Sequence, residues 1–261
     1  MESGSGNKPL VSIVTIAYNS ADTIRDTLIS VAQQDYPNIE HVIIDGASKD
    51  NTIDIVRQFP NIKTIISERD NGLYDAMNKG IRHSKGDIIG ILNSDDFYVS
   101  PTVISEVVQK MTGDHAEALY ADLVFVNRKN TDLVFRYWHA GKFKPSHFLY
   151  GWMPPHPTFF VFRDLYDQLG VFKTQLTYSA DYELMLRFLY KQKISVSYLP
   201  KVIVKMRMGG VSNASLSNRL KANKEDREAW RLNQLRPLFF THWLKPVRKI
   251  IQFMRAKKVN L

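Results

Sequence analysis

Cysteine is absent from this 261-residue sequence, which excludes disulfide frameworks, thiolate metal sites and thiol nucleophiles. No apolar run approaches the roughly 18 residues that a membrane-spanning helix needs. The amino terminus, MESGSGNKP, is polar and glycine-rich, so we expect neither a signal peptide nor an anchor there. With 44% hydrophobic residues, the chain can bury the core of one large α/β domain.

Acidic residues are scarce near the carboxyl terminus. From Arg219 onward there are 12 Lys or Arg against 3 acidic residues, whereas the preceding part holds 23 of each sign. Between Pro237 and Lys258, six basic residues alternate with large apolar ones and no acid occurs. This composition favours an amphipathic helix on an anionic membrane surface over a helix docked on the body. It predicts a cytoplasmic protein bound peripherally at the inner face of the cell membrane.

A glycine-rich phosphate-binding loop is also missing. The β-branched run at residues 11–17 predicts a first strand, but the turn after it, Tyr18-Asn19-Ser20, has neither G-x-G-x-x-G nor G-x-x-x-x-G-K-[ST]. Such loops cradle phosphates with backbone amides. A diphosphate bound by this chain would therefore need a metal to neutralise it.

The first 100 residues alternate between strand and helix patterns. Short apolar runs predict strands at residues 11–17, 39–44, 62–66 and 88–92, with amphipathic stripes typical of helices between them. This order predicts an α/β fold with a mostly parallel sheet flanked by helices.

Acidic side chains follow three of these strands, at Asp45, at Asp70 and at the pair Asp95 and Asp96. In such sheets, ligands bind outside the carboxyl ends of the strands. Adjacent carboxylates repel unless a cation lies between them, and Mg²⁺ or Mn²⁺ suits oxygen ligands. A solvated turn is the alternative, but three coincidences favour a site. A nucleoside base placed against Tyr18, with Asp45 accepting from its ring N–H, would make this a nucleoside-diphosphate site.

Four segments together, VSIVTIAYNS, IIDGASKDNT, SERDNGLYDAMNKGI and GDIIGILNSDDFY, resemble the donor-binding half of family 2 glycosyltransferases with the GT-A fold. The resemblance implies that Tyr18 and Asp45 contact the nucleoside and that Asp70 lines the donor pocket. It also implies that Asp95 faces the ribose and sugar and that Asp96 ligates the metal. The usual Asp-x-Asp is spelled Asn93-Ser94-Asp95-Asp96 here, which leaves open which acid is the ligand.

Two basic residues are further candidates for the donor phosphates. For Lys79 we prefer an i, i+4 pair with Asp75 on a solvated helix face. Arg207 precedes Gly209-Gly210, so it either reaches the diphosphate from a mobile lid or belongs to a structural glycine turn.

The second half carries the candidates for the acceptor and for the base. Residues 118–127 and 132–138 predict a hairpin, and the aromatic, proline-rich segment 142–157 predicts an acceptor loop. The acceptor candidates are His156, Trp152 and Tyr178, although a histidine packed beside the following phenylalanines is as plausible as a ligand-binding one.

Asp181 is the candidate general base. Ser179 can cap a helix in whose first turn Asp181 lies, and there the macrodipole favours an ionised carboxylate. The alternative is that Asp181 only completes the helix terminus. The resemblance places the family's catalytic aspartate here, although Ala180 replaces the usual preceding glutamate.

The sequence thus predicts a donor-binding half (9–100), an acceptor and catalytic half (101–214) and a basic helical tail (215–261). The predicted activity is metal-dependent, inverting transfer from a nucleotide-sugar, with UDP favoured, to a glycan or polyprenyl-diphosphate-linked hydroxyl in bacterial surface-polysaccharide assembly, such as O-antigen. The rivals are a sugar-1-phosphate nucleotidyltransferase and a basic nucleic-acid-binding protein. The neutral body and the absence of a nucleic-acid motif argue against nucleic acid as a partner, and a homo-oligomer remains open.

Overall fold

A computed structural model describes residues 8–209, 216–241 and 244. Nine strands form one sheet. The strands are β1 (Val11–Ala17), β2 (Ile39–Asp45), β3 (Thr64–Ser67), β4 (Ile88–Ile91), β5 (Asp96–Tyr98), β6 (Ala118–Val126), β7 (Val134–Trp138), β8 (Phe160–Phe162) and β9 (Val196–Arg207).

Seven α-helices connect or cover these strands. They are α1 (Ile24–Ala32), α2 (Thr52–Val56), α3 (Leu73–His83), α4 (Val103–Gly113), α5 (Arg163–Leu169), α6 (Ala180–Met185) and α7 (Leu216–Leu232). A π-helical stretch, Leu186–Lys191, continues α6, and 3₁₀ turns lie at Pro145–Tyr150 and His156–Thr158.

The sheet runs in the order β3-β2-β1-β4-β8-β6-β9-β5, with β7 added beside β6. The pairs β1–β2, β1–β4, β2–β3 and β6–β9 are parallel, and β8 is antiparallel to both β4 and β6. Consequently six strands have their carboxyl ends on the same side of the sheet, here called the site rim. These strands are β1, β2, β3, β4, β6 and β9.

The predicted α/β alternation is confirmed. The first strand has the expected bounds, the next three shift by up to two residues, and the predicted hairpin forms between β6 and β7. Pro200 does not end its strand. Instead, β9 continues through a register shift against β6, between Ala121 and Leu123, since a bulge tolerates the missing N–H of proline.

Apolar clusters fill both faces of the sheet. One joins α3, α6 and the 3₁₀ turn at Pro145–Tyr150, and the other joins α4 to the opposite face. Apolar packing on both faces of the sheet therefore supports the strands that end at the site rim. In the described part of the chain, no helix is long and apolar enough to cross a bilayer. Gly210 of the predicted glycine lid and residues 242, 243 and 245–261 of the basic tail fall outside the described residues.

Candidate functional site

The turns that follow β1 and β2 are tied together at the site rim. The Asn19 N–H donates to Ser48 Oγ at 2.8 Å, and the Ser20 N–H donates to Thr52 Oγ1 at 2.8 Å. Ser20 Oγ lies 2.8 Å from Ser94 Oγ, so the turn after β4 joins the same network. Hydrogen bonds thus join the turns after β1, β2 and β4, and these three turns are here called the floor of the site.

Tyr18 and Asp70 flank Gly46 on this floor. The Tyr18 side chain is 62% exposed. A Cβ on Gly46 would lie 2.9 Å from Asp70 Oδ2 and 3.3 Å from Tyr18 Cδ2, closer than a side chain tolerates. Glycine therefore lets these two predicted donor-binding residues meet, and it leaves the Tyr18 ring open to a flat ligand.

Asp45, in contrast, is fully buried. Its carboxylate accepts hydrogen bonds from the Ser48 N–H at 3.0 Å, from Ser67 Oγ at 2.6 Å and from the Ser48 hydroxyl. In this arrangement Asp45 joins the turn after β2 to the carboxyl end of β3. Its predicted contact with the nucleoside remains a prediction.

The predicted i, i+4 pair of Lys79 with Asp75 is present, but the expectation that it lies on a solvated helix face is wrong. The lysine side chain is only 13% exposed, and Nζ lies 2.8 Å from Asp70 Oδ1 and 2.9 Å from Glu68 Oε1, against 3.7 Å from Asp75. Hydrogen bonds to Asp70 and Glu68 raise the pKa of Lys79. The lysine thus fixes the Asp70 carboxylate at the rim after β3.

Asp95 and Asp96 differ in how far their side chains are exposed to solvent. Asp95 is half-buried and Asp96 is fully buried. Burial raises the pKa of Asp95, and burial followed by repulsion from Asp95 raises that of Asp96 well above its usual range. Within the described chain, Asp96 Oδ1 and Asn93 Oδ1 are buried without a hydrogen-bond partner.

These oxygens suit a hard cation. Mg²⁺-type ions commonly take one or two carboxylates from the protein and further oxygens from substrate phosphates. The described residues contain no group of three or more acidic or histidine side chains that could enclose a metal by themselves. The donor set therefore fits a cation shared between Asp95, Asp96 and a diphosphate, with Asp95 the carboxylate that opens to the cleft.

Arg207 is buried at the end of β9, which favours the structural alternative over a residue on a lid, and its contact with the diphosphate stays a prediction. It ends β9, is 3% exposed and pairs with Asp26 of α1. Its Nη1 donates to the Asp95 carbonyl oxygen at 2.9 Å, and its Nε to the Arg128 carbonyl oxygen at 3.2 Å. It therefore holds the backbone of the acidic turn.

Asp181 lies beside His156 and Tyr74. Asp181 Oδ1 accepts from Tyr74 Oη at 3.1 Å and from the Tyr182 N–H at 2.8 Å, and Oδ2 lies 3.4 Å from His156 Nδ1. Burial lowers the pKa of His156, although Asp181 and Asp95 oppose this. The negative charges of Asp181 and Asp95 thus both act on the His156 imidazole. The predicted base and the acidic turn therefore lie near the same side chain.

Trp152, an acceptor candidate, is packed inside the protein, whereas for Tyr178 an acceptor contact stays a prediction. Trp152 is 6% exposed and donates from Nε1 to the Ala140 carbonyl oxygen at 2.8 Å, within an aromatic core. Its ring is therefore packed and not available to stack on a sugar. Tyr178 is half-buried under α7, where its hydroxyl lies 3.3 Å from Asn218 Oδ1.

Sequence reasoning missed Tyr74, Arg128 and Glu225. Tyr74 looked like an ordinary helix residue, and only the tertiary fold brings it to Asp181. Arg128 is exposed at the end of β6, and its charge acts on Asp95. Glu225 sits in a charged helix, 44 positions beyond Asp181 in the chain, and no local pattern marks it.

A cavity of about 550 Å³ lies at the opposite edge of the sheet, lined by Leu10, Asp87 and Phe162 among others. It contains none of the candidate site residues.

The profile of glycosyltransferase family 2 matches residues 12–172, more than half of the chain. The chain belongs to glycosyltransferase family 2. An uncharacterized glycosyltransferase of Mycobacterium tuberculosis is 32% identical over 188 residues, which cover 69% of this chain and 68% of that protein. A putative teichuronic acid biosynthesis glycosyltransferase, TuaG of Bacillus subtilis, is 39% identical over 93 residues, covering 34% of this family 2 chain and 37% of TuaG.

Solved structures share the GT-A fold of this family 2 enzyme. TarS 1–349 of S. aureus, in complex with UDP-GlcNAc, superposes with a TM-score of 0.68 at 20% identity, covering 86% of this chain and 65% of that one. The mannosyltransferase PcManGT of Pyrobaculum calidifontis, in complex with GDP-Man and Mn²⁺, gives 0.63 at 18% identity, covering 97% and 77%.

Proposed function

We propose that this family 2 glycosyltransferase moves a sugar from a UDP-sugar to a hydroxyl of a glycan or lipid-linked acceptor in polysaccharide biosynthesis. The observation that carries the proposal is that His156 Nδ1 lies 3.4 Å from Asp181 Oδ2 and that the same imidazole is close enough to Asp95 for its charge to act on it. A base and a candidate metal-binding turn at one rim are what transfer from a nucleoside-diphosphate sugar requires.

The donor would occupy the floor formed by the turns after β1, β2 and β4. Tyr18 offers an exposed ring to the base beside Gly46, and Asp70 is held at the same edge by Lys79. The exposed Arg128 supports placing the diphosphate near Asp95. The UDP-GlcNAc complex of TarS supports uridine as the base to test first.

Asp95 and Asp96 would hold Mn²⁺ or Mg²⁺ together with the diphosphate. When bound, such an ion neutralises the negative charge that develops on the departing nucleoside diphosphate. The unpartnered oxygens of Asp96 and Asn93 support this role, as does the Mn²⁺ complex of PcManGT.

Asp181 would remove the proton of the acceptor hydroxyl while that oxygen attacks the anomeric carbon and the bond to the diphosphate breaks. One displacement of this kind inverts the anomeric centre. Tyr74 and the Tyr182 N–H orient the carboxylate and hold it ready to accept the proton. His156 lines the cleft between base and donor, where an acceptor would enter.

The carboxyl-terminal tail would rest on anionic lipid, which suits a polyprenyl-diphosphate-linked acceptor. Phe239 is 90% exposed at the start of this segment, and six basic residues follow before residue 259. An exposed aromatic ring followed by basic residues is typical of interfacial segments. The relationship to TuaG supports a surface polysaccharide as the product.

The test is a thermal-shift panel of UDP, GDP, CDP and their sugars, each with Mn²⁺ or with EDTA. We expect metal-dependent stabilisation by the uridine compounds, since a ligand of the folded state at 100 times its Kd adds about 2.7 kcal/mol to the free energy of unfolding.

Asp95→Asn should lose the metal dependence. Asp181→Asn should keep donor binding and lose about 100-fold or more in transfer rate. Stabilisation by none of the nucleotides would contradict the proposal, as would near-normal turnover by the Asp181 variant.

A further inference from the structure

The carboxylate of Glu225, in the middle of α7, accepts three backbone hydrogen bonds from the loop that precedes α6. Oε1 accepts from the Thr177 N–H at 3.0 Å, and Oε2 accepts from the N–H groups of Tyr178 at 2.7 Å and Ser179 at 3.0 Å. A charged acceptor forms stronger hydrogen bonds than a neutral one. The loop is thus fixed to α7 at three consecutive residues.

This loop ends two positions before Asp181. Helix α6 begins at Ala180, and its first hydrogen bond runs from the Glu183 N–H to the Ser179 carbonyl oxygen at 3.0 Å. The N–H groups of residues 177–179 precede the helix and have no acceptor within it. The Ser179 side chain makes no capping bond within the helix and donates to the Ala222 carbonyl oxygen of α7 at 3.2 Å. The expected serine cap is therefore replaced by contacts from a distant helix.

Further contacts join α7 to the residues after Asp181. Trp230 Nε1 donates to Tyr182 Oη at 2.9 Å, and Asn233 Nδ2, just beyond α7, donates to Glu183 Oε1 at 3.1 Å. Trp230 is 1% exposed, so this part of the contact is a packed interface. Contacts from α7 and from the residue after it thus reach the loop backbone before Asp181 and the side chains of the two residues after it.

We propose that Glu225 is a positioning residue for Asp181: it fixes the loop that leads into α6, the helix from which the base projects. The proposal rests on the proposed role of Asp181 as the base. Displacing a catalytic group by about 1 Å can cost 100-fold in rate. Glu225 touches neither donor nor acceptor, so losing it should lower turnover and leave both binding steps intact.

The experiment compares Glu225→Gln and Glu225→Ala with Glu228→Gln, a matched control one turn along the same helix. Glu228 contacts only Arg231 among the polar contacts described for its side chain. Glutamine keeps the size of Glu225 and one acceptor oxygen, but it removes the charge and places an N–H₂ group against an N–H donor, so E225Q should fold with a weakened contact. Hydrogen exchange at the amides of residues 177–179 reads the contact directly, and kcat, the acceptor KM and the UDP affinity read its effect.

We expect both Glu225 variants to exchange faster at these amides and to lose about 10- to 100-fold in kcat, with KM and UDP affinity within about twofold of wild type. E228Q should match wild type throughout. In an Asp181→Asn background, E225Q should add little further loss, because residues acting through one group are not additive. Wild-type kcat in E225Q with faster exchange would overturn the proposal, and so would a full additional loss in the Asp181→Asn background. Retained turnover in Asp181→Asn alone would instead refute the proposed base.

Discussion

At the scale of single residues, the site depends on how each carboxylate is held. Asp181 accepts two hydrogen bonds and stays partly open, whereas Asp45 accepts three and is closed. The first arrangement orients a group that must still exchange a proton with a ligand. The second joins neighbouring turns. Two aspartates that look alike in the sequence are therefore suited to different tasks.

Tyr74→Phe should lower transfer without weakening donor binding. The variant keeps the ring stacked on Phe172, with centroids 5.6 Å apart, and removes only the hydroxyl that orients Asp181. A hydrogen bond to a charged group contributes about 1.5–3 kcal/mol, so we expect roughly a tenfold or greater loss in kcat. Steady-state kinetics beside UDP titration would measure this. Tyr36→Phe is the control, because its hydroxyl donates to the Pro9 carbonyl oxygen away from the site rim. Equal effects in the two variants would show a general loss of stability.

His41 should make the protein less stable in acid. It is buried in β2, where Nε2 lies 2.9 Å from Thr15 Oγ1, and burial lowers its pKa from 6.5 to about 3. The unfolded chain takes up a proton at this residue below pH 6.5 while the folded one does not, so the free energy of unfolding falls as pH falls from 6.5 towards 3. Between pH 7 and 5 this amounts to about 2 kcal/mol.

Urea unfolding at pH 7 and pH 5 tests this, comparing His41→Gln with wild type. The variant should lose about 2 kcal/mol less than wild type over this interval. The exposed His115, changed to Gln, serves as control and should keep the wild-type dependence. An unchanged dependence in His41→Gln would refute the assignment.

At the scale of elements, the end of β9 organises the acidic turn. Arg207 reaches from β9 to Asp26 on α1 and to the backbone of Asp95, and its guanidinium lies 4.8 Å from the centre of the Phe97 ring. The antiparallel pairing of β5 with β9 places Asp96 opposite Met206. The turn that carries both acids is thus positioned by an element more than 100 residues later in the chain.

Arg207→Lys should destabilise the fold and weaken metal-dependent UDP binding together. A lysine cannot bond two carbonyl oxygens and a carboxylate in the same planar arrangement, so about 1–3 kcal/mol of unfolding free energy should be lost. Asp26→Asn removes the ion pair from a carboxylate that is 55% exposed, and it should cost no more than about 1 kcal/mol. Chemical denaturation and calorimetric UDP titration with Mn²⁺ would compare them. A larger loss in the Asp26 variant would show that the ion pair, and not the carbonyl contacts, holds the turn.

At the scale of the whole molecule, one sheet passes through both predicted halves, because β8 and β6 continue it from β4 to β9. The halves therefore share a core. The first helix of the predicted tail, α7, also belongs to that core, because Ala229 and Trp230 pack within it. Thr241 Oγ1 donates to the Leu149 carbonyl oxygen at 2.6 Å, and Phe240 stacks on Tyr150, so the tail leaves from the side of the 3₁₀ turn at Pro145–Tyr150.

Replacing the six basic residues between 245 and 258 with Gln should weaken binding to anionic vesicles. Each basic residue near such a surface contributes about 1 kcal/mol, so the affinity should fall by orders of magnitude while the Tm stays near that of wild type. Co-sedimentation with anionic and with neutral vesicles measures this. A variant with six exposed lysines replaced elsewhere is the control. Binding that stays unchanged after tail neutralisation would refute the membrane proposal.

The sequence by itself determined the alternation of the first four strands with helices and the hairpin of β6 and β7, because apolar periodicity and β-branched runs are local properties of the chain. It also located Asp95, Asp96 and Asp181, since polar residues at strand ends and in a first helical turn follow from the same local patterns.

Only the tertiary structure decided which of these side chains meet and which are open. In the folded chain Trp152 packs in an aromatic core, Lys79 pairs with Asp70 and Arg207 is buried. Sequence patterns do not show this, because burial depends on partners distant in sequence. The contacts of Tyr74 and Glu225 with the loop of Asp181 join positions separated by 107 and by 46 to 48 residues. No local pattern encodes such pairs, since they arise when the long-range packing of the sheet brings distant elements together.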